Sequence, residues 1–230
     1  MEREGFEVSL LFAERITFYN QFGWKEQTRQ FSLLANPTGL RTPEFLIDAF
    51  DVARDLRDVM RLHREYSGCF DVTAIRDEAD WRANLKFAGN TPADPVGGCA
   101  EDFVVARRGA EVVAYARATR FHGVPMVMEY GYAPGNFDAV MALFRHLAHR
   151  FATAGNAILV THSAHDPSLE RALADAGCPV AHHPDNFYMW RVNLPDKLAA
   201  RLPMPPAKVE EYVFAKFAAP ASLFWTSDRF

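Results

Sequence analysis

Residues 103–117 read Phe-Val-Val-Ala-Arg-Arg-Gly-Ala-Glu-Val-Val-Ala-Tyr-Ala-Arg, and this stretch decides the fold class of the chain. Both ends are rich in apolar residues that favour β-strands, because such side chains pack well on a pleated surface. The central Arg-Arg-Gly-Ala contains the glycine that a tight turn uses. The stretch therefore predicts two antiparallel strands, 103–106 and 111–117, joined by a tight turn.

Helical and strand-like patterns continue on both sides of this hairpin. In 51–66, apolar residues recur at helical spacing and form one buried stripe. The predicted elements are, in chain order, a strand at 45–50, helices at 51–66 and 75–87, the hairpin, a strand at 126–132, a helix at 136–154, a strand at 157–161, a helix at 167–176 and a strand at 187–192. The order β-α-α-β-β-β-α-β-α-β over residues 45–193 predicts an α/β fold.

Composition excludes several classes of protein. Of the 230 residues, 49% are hydrophobic and 23% are charged, which is the balance of a globular protein with a substantial core. A net charge of −4 argues against sequence-independent nucleic-acid binding, which requires a surplus of Lys and Arg. Residues 1–4 are charged and do not have the pattern of a signal peptide, and no apolar run is long enough to span a membrane, so we expect a cytoplasmic protein without a membrane partner.

Residues 5–34 carry a pattern of their own. The stretch 5–13 favours a strand, Ile16, Tyr19 and Phe22 recur on one face of a short helix that ends at Gly23, and 28–34 favours a second strand. Turn residues between 36 and 44 then mark a boundary. At the other end, helices at 194–202 and 208–217 precede a terminus rich in aromatic residues. We therefore predict three parts: 1–40, 41–195 and 196–230.

The segment Phe18-Tyr19-x-x-Phe22-Gly23-Trp24 resembles the Tyr-x-x-x-Gly-Phe signature of the GNAT superfamily of N-acetyltransferases. The element order over 45–193 also matches the GNAT fold. The resemblance implies a mixed, mostly antiparallel sheet flanked by helices, with residues 41–195 as a complete GNAT-like domain. It further implies that residues 1–40 are a partial second GNAT unit, the end of a preceding domain, as in tandem-GNAT proteins.

The resemblance also implies an activity, the transfer of acetyl from acetyl-CoA as cosubstrate to the amine of a small molecule or peptide. Tyr19 would protonate the departing thiolate, and Glu129, at the end of a strand, would take a proton from the amine. In survival-type tandem enzymes the terminal carboxylate acts as a base, which here implies the carboxylate of Phe230, with Asp228 as the alternative. Each residue also has a structural alternative: a core position for Tyr19, a solvated edge or a pairing with Arg117 for Glu129, and simple coverage of the sheet for the aromatic terminus.

The segment 130–138 corresponds to the family's phosphate-binding loop, which begins with Gln or Arg and uses glycines to expose backbone N–H groups. Here neither Gln nor Arg is present, Pro134 lacks an N–H group, and Asp138 places a negative charge in the first helical turn. We therefore expect residues 45–193 not to bind CoA. This expectation favours an alternative function, a catalytically silent GNAT-like domain used for substrate recognition or dimerisation, and a homodimer is left open.

The histidines and cysteines do not predict a metal site. The pairs His146-x-x-His149 and His162-x-x-His165 lack the spacing of known zinc motifs, and the three cysteines are widely separated. We therefore expect reduced thiols and no bound metal.

Overall fold

The computed structural model describes residues 3, 5–88, 102–121, 124–151, 158–161, 166–218 and 222–223. The chain forms two units. The smaller unit combines residues 1–30 with 184–222, and the larger unit combines residues 31–183 with 223–230. Two long strands pass from one unit into the other, so each contributes residues to both.

The secondary structure follows the order that the hydrophobic pattern predicts. The elements are, in chain order, β1 (Val8–Phe12), α1 (Ile16–Asn20), β2 (Lys25–Ala35), a 3-10 turn (Pro37–Gly39), β3 (Leu46–Ala49), α2 (Val52–Ser67), α3 (Glu78–Ala88), β4 (Asp102–Arg108), β5 (Glu111–Phe121), β6 (Val124–Tyr132), α4 (Phe137–Phe151), β7 (Ile158–Thr161), α5 (Pro167–Asp175), β8 (Val180–Val192), α6 (Pro195–Arg201), a 3-10 turn (Pro206–Lys208) and α7 (Val209–Ala218). The main difference is that β8 begins at Val180 rather than at 187, because a polar stretch that lacks the strand pattern extends it.

In the larger unit the strands lie in the order β8-β2-β7-β6-β5-β4-β3. The predicted hairpin is confirmed as β4 and β5, whose residues Val105 and Tyr115 lie opposite each other. The pairs β3–β4, β5–β6 and β2–β7 are also antiparallel, whereas β6 and β7 are parallel. The mixed, mostly antiparallel sheet is therefore as predicted.

Helices cover both faces of this sheet. Val104 and Ala106 of β4 belong to the same core cluster as the buried face of α4, whereas Val105 between them packs with α2 and Trp81 of α3. Successive side chains of a strand point to opposite faces, so α4 lies on one face and α2 with α3 on the other. Side chains of β5 and β6 therefore contact α4 on one face of the sheet and α2 with α3 on the other.

The helix α2 shows why the sequence forms helices at these places. The side chain of Asp51 accepts hydrogen bonds from the backbone N–H groups of Ala53 and Arg54, which satisfies two donors at the first turn. The stripe formed by Leu56, Val59 and Leu62 is buried. The cap and the stripe are both encoded locally, so the helix is predictable from the sequence.

The smaller unit joins the two ends of the chain. β1 pairs antiparallel with the end of β8, and Phe12 lies opposite Tyr188. Trp190 of β8 stacks on Phe217 of α7 with their ring centroids 6.0 Å apart. Residues 1–30 thus group with 184–222, so the compact units differ from the parts predicted with boundaries at 40 and 195. That residues 1–40 are the end of a preceding GNAT domain stays a prediction. No helix in the described ranges is long and apolar enough to cross a membrane.

Candidate functional site

Tyr19 lies in α1, a helix of five residues in the smaller unit, and the chain leaves it through Gly23 with a φ of 80°. No residue of α1 is buried, and Phe22 is 53% exposed. The ring of Tyr19 meets those of Phe18 and Trp24 edge-on, with centroids 5.2 and 6.4 Å away. The alternative of a core position for Tyr19 is therefore wrong, and Tyr19 belongs to a half-exposed aromatic cluster.

Glu129, in contrast, is completely buried in the larger unit. Its carboxylate accepts hydrogen bonds from the Tyr115 hydroxyl at 2.7 Å and from the guanidinium groups of Arg76 and Arg117 at 3.0 and 3.2 Å. His63 Nδ1 lies 3.4 Å from the same carboxylate. The pairing with Arg117 is confirmed, and the alternative of a solvated strand edge is wrong.

The register of β5 and β6 brings these groups together. Arg117 and Glu129 lie opposite each other, as do Tyr115 and Gly131. A Cβ atom at position 131 would lie 2.6 Å from Cε1 of Tyr115. The absence of a side chain at Gly131 therefore leaves room for the ring of Tyr115, which passes over it to reach Glu129.

The surroundings keep Glu129 ionised. Burial alone raises the pKa of a carboxyl group, but the charges of Arg76 and Arg117 and the hydrogen bond with His63 outweigh burial and hold the pKa of Glu129 well below its usual range. Burial, reinforced by the Glu129 charge, raises the pKa of Tyr115, which stays a neutral donor. A general base works best with a pKa near the working pH, so this environment favours an ion-pair role. Catalysis by Glu129 stays a prediction.

Sequence reasoning did not find the rest of this network. Arg76 places its guanidinium 4.7 Å above the ring of Trp81, and His63 Nε2 lies 3.3 Å from the carbonyl oxygen of Ala74. These groups come from α2, α3 and the segment between them, far from Glu129 in the chain. The sequence indicated this network only through two opposite charges, Arg117 and Glu129, within two otherwise apolar strands.

The loop between β6 and α4 does not fit the pyrophosphate of acetyl-CoA. The N–H of Ala133 donates to the Val113 carbonyl at 2.9 Å and the N–H of Asn136 donates back to Ala133 at 3.0 Å, while Pro134 has no N–H group. Asp138 lies exposed in the first turn of α4. Among residues 133–136 this leaves the N–H of Gly135 for a phosphate, and a carboxylate repels it. The expectation that residues 45–193 do not bind CoA stays a prediction.

The predicted site residues lie in different parts of the chain. Tyr19 belongs to the smaller unit and Glu129 to the larger one. Phe230 lies outside the described residues, as do His162 and His165, so the role of Phe230 stays a prediction. The described ranges contain no group of His, Cys, Asp and Glu side chains arranged to hold a metal.

No known family model and no curated protein sequence matches the chain. Solved structures do resemble it. A probable N-acyltransferase from Enterococcus faecalis V583 aligns with a TM-score of 0.57 and 16% identity over 84% of this chain and 47% of its own. GCN5-related N-acetyltransferases from Kribbella flavida and Anabaena variabilis give TM-scores of 0.55 and 0.54, at 11% and 9% identity, over 84% of this chain and 45% and 47% of theirs.

The chain has the fold of a GCN5-related N-acetyltransferase. The predicted fold class is confirmed to that extent, whereas the tandem arrangement and the partial amino-terminal GNAT unit stay predictions. The chain spans about half the length of these proteins. At such low identities the likeness concerns the fold, and function has to be argued from the residues.

Proposed function

We propose that the chain is part of a GNAT-type acetyltransferase, which transfers the acetyl group of acetyl-CoA to the amine of a small molecule or peptide. The observation that carries this proposal is the fold that the chain shares with GCN5-related N-acetyltransferases. In this chain β6 and β7 form a parallel pair, and each of the two strands is followed by a helix. The proposal includes a tandem arrangement, with residues 1–40 as the end of a catalytic domain and 41–195 as a second domain.

Tyr19 would act as the acid in this enzyme. The ring is half-buried and contacts two aromatic neighbours edge-on, which reduces the number of orientations of the hydroxyl. Within the part of the chain that the structure describes, the hydroxyl makes no hydrogen bond, so it is free to meet a reacting group. Fixed placement together with a free hydroxyl is what a proton donor requires.

A second candidate function is a catalytically silent GNAT-like domain for substrate recognition or dimerisation. Two observations favour it for the larger unit: Glu129 is held in an ion-pair network, and the loop 133–136 offers few N–H groups to a phosphate. The two functions are compatible in one enzyme, since one domain can catalyse while the other recognises.

A comparison of Tyr19→Phe with Tyr212→Phe tests the catalytic proposal. Tyr212 is a partly exposed tyrosine of the same unit and serves as the matched control. In the tandem enzyme that the proposal implies, with a panel of amines and detection of released thiol, we expect Tyr19→Phe to lower kcat by about a hundredfold or more, the usual contribution of a general acid. We expect Tyr212→Phe to change neither kcat nor the thermal midpoint.

Equal turnover in the two variants would contradict the role of Tyr19. Thiol release by none of the amines, together with no acetyl-CoA binding in calorimetry, would contradict catalysis by this chain and favour the silent domain. Differential scanning calorimetry of each variant separates a loss of chemistry from a loss of folding.

A further inference from the structure

The crevice at the carboxyl ends of β6 and β7 is where a ligand of the larger unit would be expected. The two strands are parallel, and in open α/β sheets ligands bind at the carboxyl ends of such strands. In the described part of the chain, Met126 pairs with Val160 and Val127 with Thr161, and β6 continues to Tyr132. Both strands are followed by a helix.

Side chains of the protein itself meet at this place. Tyr66, at the end of α2, places its hydroxyl 3.2 Å from that of Tyr130 and donates to Oδ2 of Asp166 at 3.1 Å. The Tyr132 hydroxyl donates to the same oxygen at 2.6 Å. We call these four residues, Tyr66, Tyr130, Tyr132 and Asp166, the tyrosine cluster. The cluster connects the end of β6 with the residue that precedes α5.

The tyrosine cluster is closely packed. Tyr66, Tyr130 and Tyr132 are only 7%, 2% and 7% exposed. The ring centroid of Tyr66 lies 5.4 Å from that of Tyr130 and 4.9 Å from that of Tyr132, and Phe144 meets Tyr130 edge-on at 5.3 Å. These spacings are ordinary contact distances between aromatic rings, so no ligand-sized space separates them.

Carboxylates lie at both helix starts that would otherwise attract an anion. Asp166 caps α5, with Oδ1 accepting from the N–H of Leu169 while Oδ2 accepts from the two tyrosines. Glu170 adds a second negative charge in the first turn of α5, and Asp138 lies in the first turn of α4. Helix starts bind phosphate through free N–H groups and positive partial charge. At α5 the N–H of Leu169 is already bound to Asp166, and at both helices a carboxylate in the first turn repels an anion.

We infer that the tyrosine cluster closes this crevice permanently, so that the larger unit takes up no acyl-CoA and Asp166 occupies the position of an anionic ligand. The inference rests on the proposed function, since it assigns acetyl-CoA binding in such an enzyme to a domain other than the larger unit. Burial, which raises the pKa of both Tyr66 and Tyr132, supports it because the hydroxyls stay protonated and keep donating to Asp166.

Tyr66→Ala tests whether the ring of Tyr66 fills a closed space. Truncation leaves an aromatic-sized cavity, and such buried apolar cavities bind small aromatic molecules. We expect phenol at about ten times its dissociation constant to raise the thermal midpoint of Tyr66→Ala by about 3 °C. Wild type and Tyr66→Phe, which retain the ring, should not respond. A folded Tyr66→Ala that phenol does not stabilise would overturn the inference.

Tyr132→Phe provides a test that does not depend on the folding of the truncated variant. The substitution keeps the ring and removes the 2.6 Å hydrogen bond to Asp166. We expect hydrogen exchange of the α5 amides, including that of Leu169, to become about tenfold faster or more, with exchange in β4 unchanged. Unchanged exchange in α5 would overturn the closing role of the cluster.

Calorimetry and NMR with acetyl-CoA distinguish this inference from the proposed function. We expect no binding that shifts the signals of Tyr132 or Asp166, and saturable binding with such shifts would overturn the inference. Binding that shifts only signals near Tyr19 would support the proposed function and agree with a closed cluster. The proposed function fails separately, in the turnover assay of Tyr19→Phe.

Discussion

Replacing Glu129 by glutamine removes a buried negative charge while keeping the size of the side chain. The carboxylate is inaccessible to solvent, and the side chains of Arg76 and Arg117 that contact it are only 5% and 1% exposed. Removing one partner of a buried ion pair costs about 3–5 kcal/mol, because the remaining charge stays desolvated. We expect Glu129→Gln to lower the free energy of unfolding by about that amount.

Urea unfolding at neutral pH measures this loss. At about 2 kcal/mol per M, a common urea dependence, the midpoint should fall by about 1.5–2.5 M. Glu111→Gln is the matched control, since Glu111 lies on β5 with its side chain 64% exposed and 3.8 Å from Arg61. An exposed pair contributes about 0–1 kcal/mol, so the control should shift little. Hydrogen exchange of the Arg117 amide assigns the change to the larger unit.

The pH dependence provides a second check on Glu129. Its folded pKa is lowered, so its contribution to stability is fully present above its unfolded pKa near 4.5 and is lost as the pH falls toward the folded value. Wild type and Glu129→Gln should therefore become more similar in strong acid. A glutamine variant as stable as wild type at pH 7 would refute the reasoning and show that Glu129 does not hold the two arginines.

Two further predictions concern the larger unit. Burial raises the pKa of Asp55, but hydrogen bonds from two arginines and a backbone N–H outweigh burial and hold the pKa at about 2, compared with 3.8 for a free carboxyl group. The lowered pKa contributes about 2 kcal/mol to the free energy of unfolding, which is present above about pH 5 and is lost between about pH 5 and 1. Acid titration of wild type against Asp55→Asn measures this loss. Gly131→Ala should cost about 1–3 kcal/mol in urea unfolding, because its Cβ would lie 2.6 Å from the ring of Tyr115; an unchanged midpoint would show that the ring moves away freely.

The order of elements was predictable because it depends on local patterns. The apolar stripe of α2, the Asp51 cap and the glycine turn between β4 and β5 are each encoded within a few residues. Even the contact between Arg117 and Glu129 was one of the alternatives open from the sequence, since neighbouring antiparallel strands bring opposite charges face to face. Boundaries were less predictable, as the long, polar beginning of β8 shows.

The environments of the candidate residues were not predictable from such patterns. Whether Glu129 is a solvated base or a buried ion depends on Arg76 and His63, which precede it by many residues and lie outside the two strands. The tyrosine cluster likewise joins α2, β6 and the start of α5, and no local pattern links Tyr66 to Asp166. Contacts between distant segments depend on packing, which a single sequence does not display.

By itself, the sequence determined the fold class and the alternation of helices and strands, because periodic burial of apolar side chains acts within each segment. Only the tertiary structure decided that residues 1–30 group with 184–222, that Glu129 is an ionised partner of two arginines, and that three tyrosines and Asp166 meet at the carboxyl end of β6. The physical reason is that ionisation and ligand access depend on burial and on neighbouring charge, which arise only when distant segments pack together.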